Sequence, residues 1–230
     1  MLTVGIPVFP GSNCDKDVYN VLTKIYKVNA DFIWHKKDKI KNYDALIIPG
    51  GFSFGDRLRA GIIAAHSPII KEVKRHGNQG IPILGICNGF QILVESELLP
   101  GALIKNNSLK FMCKWTDLKV SNTNTPFTIS FHTNEKFTIP IANGEGRYMV
   151  NEDQLKEIRK KNQIVFSYVT EDPNGSIDSI AGVCNDSGNI VGMMPHPERA
   201  CQKELELFGL NSRAMSVFDS LITFLKKIST

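Results

Sequence analysis

At 230 residues, 42% hydrophobic and 22% charged, with a formal net charge of +4, the chain is long enough to bury a core without staples and has an ordinary soluble composition. The mild charge argues against a dedicated nucleic-acid surface: the densest basic stretch, 35–41, is interrupted by Asp38 and Ile40 and reads as a solvated loop. Five cysteines without a Cys-x-x-Cys pair exclude a disulfide framework or a thiolate metal centre and fit reduced thiols in a cytoplasm, and no apolar run reaches membrane-spanning length.

The apolar start, 2–9, has no basic residues ahead of it and reads as a first strand, not a signal peptide. Pro10-Gly11-Ser12-Asn13 is turn chemistry leading to an acidic helix start at Asp15 and Asp17. Val18, Val21, Leu22 and Ile25 then fall on one helical face. Cys14 reads as an exposed turn residue with nothing nearby to activate it. Residues 31–35 and 44–49 are short strands, the second ending in Gly50-Gly51, and 59–75 reads as a helix interrupted at Ser67-Pro68. Alternation of strand, helix and strand points to an α/β fold with a mostly parallel sheet covered by helices and functional loops at the strands' carboxyl ends.

The next strand, 81–86, stops at Cys87 and turns directly into a helix over 88–96. Gly85 and Gly89 flank the cysteine at the spacing of a nucleophile elbow, which presents a side chain above the sheet beside free N–H groups of a helix start. Beyond the breaker Leu99-Pro100-Gly101, alternating residues predict strands over 114–120 and 127–131 in an antiparallel extension of the sheet. A charged helix over 151–161, a strand over 164–169 and a hairpin of 179–184 with 189–194 follow. That hairpin ends in Pro195-His196-Pro197-Glu198, whose prolines imply extended backbone, with His196 and Glu198 facing one side. A packing helix over 212–228 carries Met215, Phe218, Leu221, Ile222 and Leu225, and with no linker or repeat in view, residues 1–230 read as a single domain.

Acyl transfer by cysteine needs a sulfur nucleophile, a base to take its proton, a group to orient the base and donors for the oxyanion. Cys87, His196 and Glu198 fill the first three places, and the amides of Gly51 and Asn88 supply the fourth. Cys113, Cys184 and Cys201 read as packing or incidental thiols, and His35, His66, His76 and His132 as structural or surface residues.

The elbow Gly-Ile-Cys-Asn-Gly-Phe-Gln, the Pro-Gly-Gly loop before it and the late His-Pro-Glu together resemble the triad, or class I, glutamine amidotransferases. Further motifs carry the likeness toward the glutaminase subunits of phosphoribosylformylglycinamidine synthases. They are Phe9 to Asp15, Pro49 to Asp56, Leu58-Arg59-Ala60-Gly61, Gly144-Glu145-Gly146-Arg147-Tyr148 and Pro173-Asn174-Gly175-Ser176, in the family's order. The resemblance implies a three-layer, flavodoxin-like fold, with Cys87 as nucleophile, His196 and Glu198 completing the triad, and Gly51, Phe52 and Gln91 helping to bind glutamine. It also implies that the chain holds no cofactor or metal, and that glutamine is hydrolysed to glutamate and ammonia. The ammonia passes to a synthetase partner, joined by a small accessory subunit, which binds ATP and Mg and makes the amidine in de novo purine (IMP) biosynthesis. The chain has no Walker-type loop of its own. It departs from its relatives at Asn143, where they commonly carry histidine, and at Arg57, where they often carry an aromatic residue. The segment 144–148 is the expected coupling surface.

Overall fold

The structure, a computed structural model, describes residues 2–201 and 212–228. Its strands are β1 (Thr3–Val8), β2 (Asn29–Trp34), β3 (Ala45–Ile48), β4 (Ile83–Ile86), β5 (Ala102–Ile104), β6 (Met112–Val120), β7 (Lys136–Asn143), β8 (Arg147–Met149), β9 (Ile164–Tyr168), β10 (Ile180–Cys184) and β11 (Ile190–Met193). The helices are α1 (Asp15–Asn20), α2 (Ile62–Ala65), α3 (Ile69–Asn78), α4 (Asn88–Glu95), α5 (Glu152–Lys160) and α6 (Ser216–Ile228).

Among the described residues, nine strands form one sheet in the order β2-β1-β3-β4-β11-β10-β9-β6-β7, while β5 and β8 pair separately. From β2 to β11 neighbouring strands run parallel, and from β11 to β7 they run antiparallel. The parallel centre follows from composition. Every residue of β3 and β4 is buried, because helices cover both faces and an unbroken apolar run suits that position. Each Ile or Leu buried there contributes about 1.5–3 kcal/mol relative to exposure. The hairpin of β10 and β11 turns at Asn185, whose carbonyl accepts from Gly188 N–H at 3.0 Å, and it returns β11 alongside β4.

Local departures from the sequence reading have identifiable causes. Residues 127–131 form turns, not a strand. Thr125 and Thr128 bond each other through their hydroxyls at 2.7 Å, and Thr128 N–H and Phe131 N–H donate to carbonyls three residues back. Hydroxyl side chains thus satisfy the backbone locally, while Phe127 and Phe131 still point inward. Their place beside β6 is taken by β7, in register from Met112 with Asn143 to Lys119 with Lys136. Pro197–Arg199 is one turn of 3-10 helix and not extended, with proline at its first position, where the missing N–H costs nothing. Ile25 is 40% exposed, because the helix widens into a π turn over Val21–Ile25 and rotates it away from buried Val18 and Leu22. The segment expected as helix from Arg59 becomes helical at Ile62 and breaks at Ser67-Pro68 before α3.

Candidate active site

Since β1, β3, β4 and β11 run parallel, their carboxyl ends share one edge of the sheet, where ligands of open α/β sheets bind. From those four ends come Cys14, Gly50, Cys87 and His196.

Cys87 ends β4 and begins α4 with φ 50° and ψ −106°, backbone that a side chain adopts at a cost of about 1–3 kcal/mol. The surroundings hold it there: its N–H donates to Met193 O on β11 at 2.8 Å, and its carbonyl accepts from Gln91 N–H at 3.1 Å. The turn needs Gly89, since a Cβ there would lie 2.0 Å from Ile48 O on β3. The thiol is buried, 3.6 Å from Ala142 O on β7.

His196 and Glu198 meet across the 3-10 turn. Nδ1 and Oε1 are 2.7 Å apart, and both side chains are buried. Among the described residues Nε2 has no hydrogen-bond partner. Burial pulls the imidazole pKa down, but the charges of Glu198 and Cys87 more than offset it, leaving His196 well above its ordinary value. The thiol of Cys87 therefore stands close enough to act on the ring's charge. Gly50 makes that approach possible, because a Cβ on it would lie 2.8 Å from His196 Cε1 and 3.4 Å from Cys87 Cβ.

Cys14 corrects the sequence reading, in which it was exposed and remote from any activating group. It is 2% exposed, with Sγ 4.0 Å from His196 Nδ1 and accepting from Arg199 Nη2 at 3.2 Å. Burial pushes its thiol up, opposed by the hydrogen bond to His196. Two thiols thus flank one imidazole. The strand-end rule applied to β1 would have found the second, because the turn after a parallel strand opens on the same edge. Ligand atoms of Cys14, His196 and Glu198 lie within 4.8 Å of one another, a spacing a metal ion could use, but Nδ1 already bonds Glu198.

Phe52 N–H is spent on Gly11 O at 2.9 Å. Gly51 N–H has no acceptor among the described residues, and Asn88 N–H lies in the first turn of α4, without an intrahelical acceptor. The Asn88 side chain accepts from Ser53 N–H at 3.1 Å and donates to Gln91 Oε1 at 2.9 Å, while Gln91 Nε2 donates to Glu145 O at 2.8 Å. This network fixes the wall of a cavity of about 400 Å³ beside Cys87, to which Gly51, Phe52, Gln91 and Glu145 also contribute. Phe52 stands at its rim, 44% exposed, its ring 6.2 Å from that of Phe111. Sequence reasoning gave Asn143 and Asp56 no role, yet both line this cavity. Exposed Arg57 instead borders a separate groove with Pro10 and Phe54.

Residues 2–222 match the family described as the CobB/CobQ-like glutamine amidotransferase domain. Among solved structures, the chain is similar to one from PurLQS of Thermotoga maritima, at 45% identity and a TM-score of 0.87, covering 97% of this chain and 99% of that one. A glutamine amidotransferase from Thermotoga maritima aligns at 16% identity and a TM-score of 0.62, over 97% of each chain. The glutaminase domain of Trypanosoma brucei CTPS aligns at 14% identity and a TM-score of 0.60, covering 97% of this chain and 94% of that domain. These last two likenesses concern the fold.

Proposed function

Because the chain belongs to the CobB/CobQ-like glutamine amidotransferase family, we propose that it is the glutaminase subunit of a phosphoribosylformylglycinamidine synthase. It hydrolyses glutamine to glutamate and ammonia. The likeness to PurLQS over nearly the whole of both chains supports the pathway. The observation that carries the chemistry is Cys87 held at φ 50° on the strand-to-helix turn, beside an imidazole already bonded to a buried carboxylate.

In this reading, the sulfur of Cys87 attacks the side-chain carbonyl of glutamine while His196 Nε2 holds the thiol's proton. Glu198 keeps the ring oriented through Nδ1. Negative charge developing on the carbonyl oxygen is met by the N–H groups of Gly51 and Asn88. Collapse of the adduct breaks the C–N bond, and His196 returns the proton to the departing ammonia. Water then cleaves the glutamyl thioester with the same imidazole as base, releasing glutamate and restoring the thiol. Gln91 shapes the pocket through its bonds to Asn88 and Glu145, and Phe52 closes its rim.

Ammonia is consumed by a synthetase partner that binds ATP and Mg and forms the amidine, with a small accessory subunit in the assembly. Residues 144–148 belong to the coupling surface, supported by Gly144 and Glu145 lining the cavity. Among the described residues no helix is long and apolar enough to cross a membrane, and we place the chain in the cytoplasm. The unbroken sheet supports a single domain over residues 1–230.

The test is ammonia release from glutamine with and without the purine-pathway synthetase. Release stimulated by the synthetase is expected. Release indifferent to it would overturn the pathway, and no release in its presence would overturn the glutaminase reading.

A further inference from the structure

Cys14 is a buried nucleophilic group that the glutaminase reading leaves without a task. Its sulfur, a ring nitrogen of His196 and a carboxylate oxygen of Glu198 lie within 4.8 Å of one another, and all three residues are buried. Sγ is 4.0 Å from Nδ1, and Nδ1 is 2.7 Å from Oε1. Around a tetrahedral zinc ion, bonds of about 2.0–2.3 Å hold a sulfur, a nitrogen and an oxygen about 3.4–3.6 Å apart. The observed separations bracket that value, so side-chain shifts of about 1 Å assemble the set.

Two further observations point to a cation. Glu198 Oε2 is buried with no hydrogen-bond partner among the described residues, so its lone pairs are uncommitted. Charge is the other. Arg199 donates from Nη2 to Cys14 Sγ at 3.2 Å, but Asp17, 3.3 Å from its Nε, balances it. The deprotonated sulfur and Glu198 then carry two negative charges, which a divalent ion cancels. The absence of a Cys-x-x-Cys pair excludes a site built on paired thiolates, whereas this set takes one thiolate and finds its imidazole 182 residues away.

We propose that Cys14, His196 and Glu198 form a regulatory site for a thiophilic divalent ion such as Zn²⁺, and that the ion switches glutamine hydrolysis off. Binding stands apart from the glutaminase reading, and the inhibition rests on it. From the protonated ring that Glu198 favours, the ion displaces two protons to solvent and transfers no electrons. One leaves Cys14 Sγ, which donates to Asn13 Oδ1 at 3.3 Å, and the other leaves His196 Nδ1. A neutral ring with Nδ1 on the metal keeps its remaining proton on Nε2. It can then take no proton from Cys87, nor from the water that cleaves the thioester. Mg²⁺ prefers oxygen ligands and does not compete for the sulfur.

Co²⁺ is the probe for the site, because a cobalt–thiolate bond gives a near-ultraviolet charge-transfer band. The full chain is titrated in a Cys87→Ala, Cys113→Ser background, which removes the nucleophile and the exposed cysteine. One equivalent of Co²⁺ is expected to develop the band, and adding Cys14→Ser is expected to abolish it, with circular dichroism checking the fold. No band in the background, or the same band without Cys14, overturns the proposal. Zinc K-edge absorption on the loaded background needs no change at Cys14. One sulfur with nitrogen and oxygen neighbours is expected, and a shell without sulfur overturns the site.

Inhibition is measured as ammonia release by the chain assembled with its synthetase. Zn²⁺ is expected to stop release by the wild type, and Cys14→Ser, scaled to its own metal-free rate, should need at least about 100-fold more. Equal sensitivity puts the ion on Cys87 and His196 alone and overturns the switch, as does a wild type indifferent to Zn²⁺. Absence of release by the wild type without zinc overturns the glutaminase reading instead, and the cobalt band still decides the site.

Discussion

His196 Nδ1 and Glu198 Oε1 stand 2.7 Å apart, both buried and joined by a single 3-10 turn. The contact fixes the ring so that Nε2 faces away from the carboxylate, and Glu198 raises the imidazole pKa against the opposing effect of burial. Glu198→Gln should lower kcat by about 10³- to 10⁴-fold, as loss of the orienting acid does in comparable triads. Steady-state ammonia release checks this, and a loss below tenfold would remove Glu198 from the mechanism.

The same pair makes a pH prediction. A histidine whose folded pKa lies above its unfolded value of about 6.5 adds stability that is fully present below that value and is lost as pH rises through the folded value. Stability should therefore decline on the alkaline side, and Glu198→Gln should flatten this decline. Denaturant unfolding across that window, with NMR titration of the His196 ring, measures both effects. An imidazole that titrates at or below the ordinary value would contradict them.

Gly50 separates two side chains that must approach closely. A Cβ there would lie 2.8 Å from His196 Cε1 and 3.4 Å from Cys87 Cβ, the base and the nucleophile. Gly50→Ala should displace the ring and reduce kcat by about 100-fold. Gly89→Ala meets backbone, at 2.0 Å from Ile48 O, and should instead destabilise the fold by about 1–3 kcal/mol. Parallel melting and activity curves distinguish the two outcomes, and unchanged activity in Gly50→Ala would count against the geometry.

Asp56 should lower the stability of the fold at neutral pH. Its folded pKa of about 6 exceeds its unfolded value, so the folded state binds the extra proton and stability falls as pH rises between the two. At pH 7.5 Asp56→Asn should melt roughly 2–4 °C higher than the wild type, with the advantage shrinking as the solution is acidified. A variant less stable than the wild type at pH 7.5 would show that the carboxylate has a stabilising partner.

The parallel core and the position of Cys87 were legible because unbroken apolar runs ending at glycine or cysteine identify buried strands and their carboxyl ends. His196 and Glu198 were also legible, although their meeting was attributed to extended backbone when a proline-started turn produces it. Residues 127–131 misled because alternating apolar residues resemble a strand, while Thr125 and Thr128 bond locally. Cys14 was misjudged although the strand-end rule puts its turn on the same edge, while Asp56 was read only within a family motif and Asn143 only as a departure from it. That Asp56 and Asn143 line one cavity depends on loops from separate strands converging, which spacing along the chain does not encode.

The structure places two cysteines beside one histidine, so the central claim reduces to which sulfur forms the covalent bond. We would treat the complex with a glutamine analogue bearing a diazomethyl ketone and map the adduct by peptide mass spectrometry. The account predicts a label on Cys87, none on Cys14, and full labelling retained in Cys14→Ala. A label on Cys14 would contradict it, as would undiminished ammonia release by Cys87→Ala.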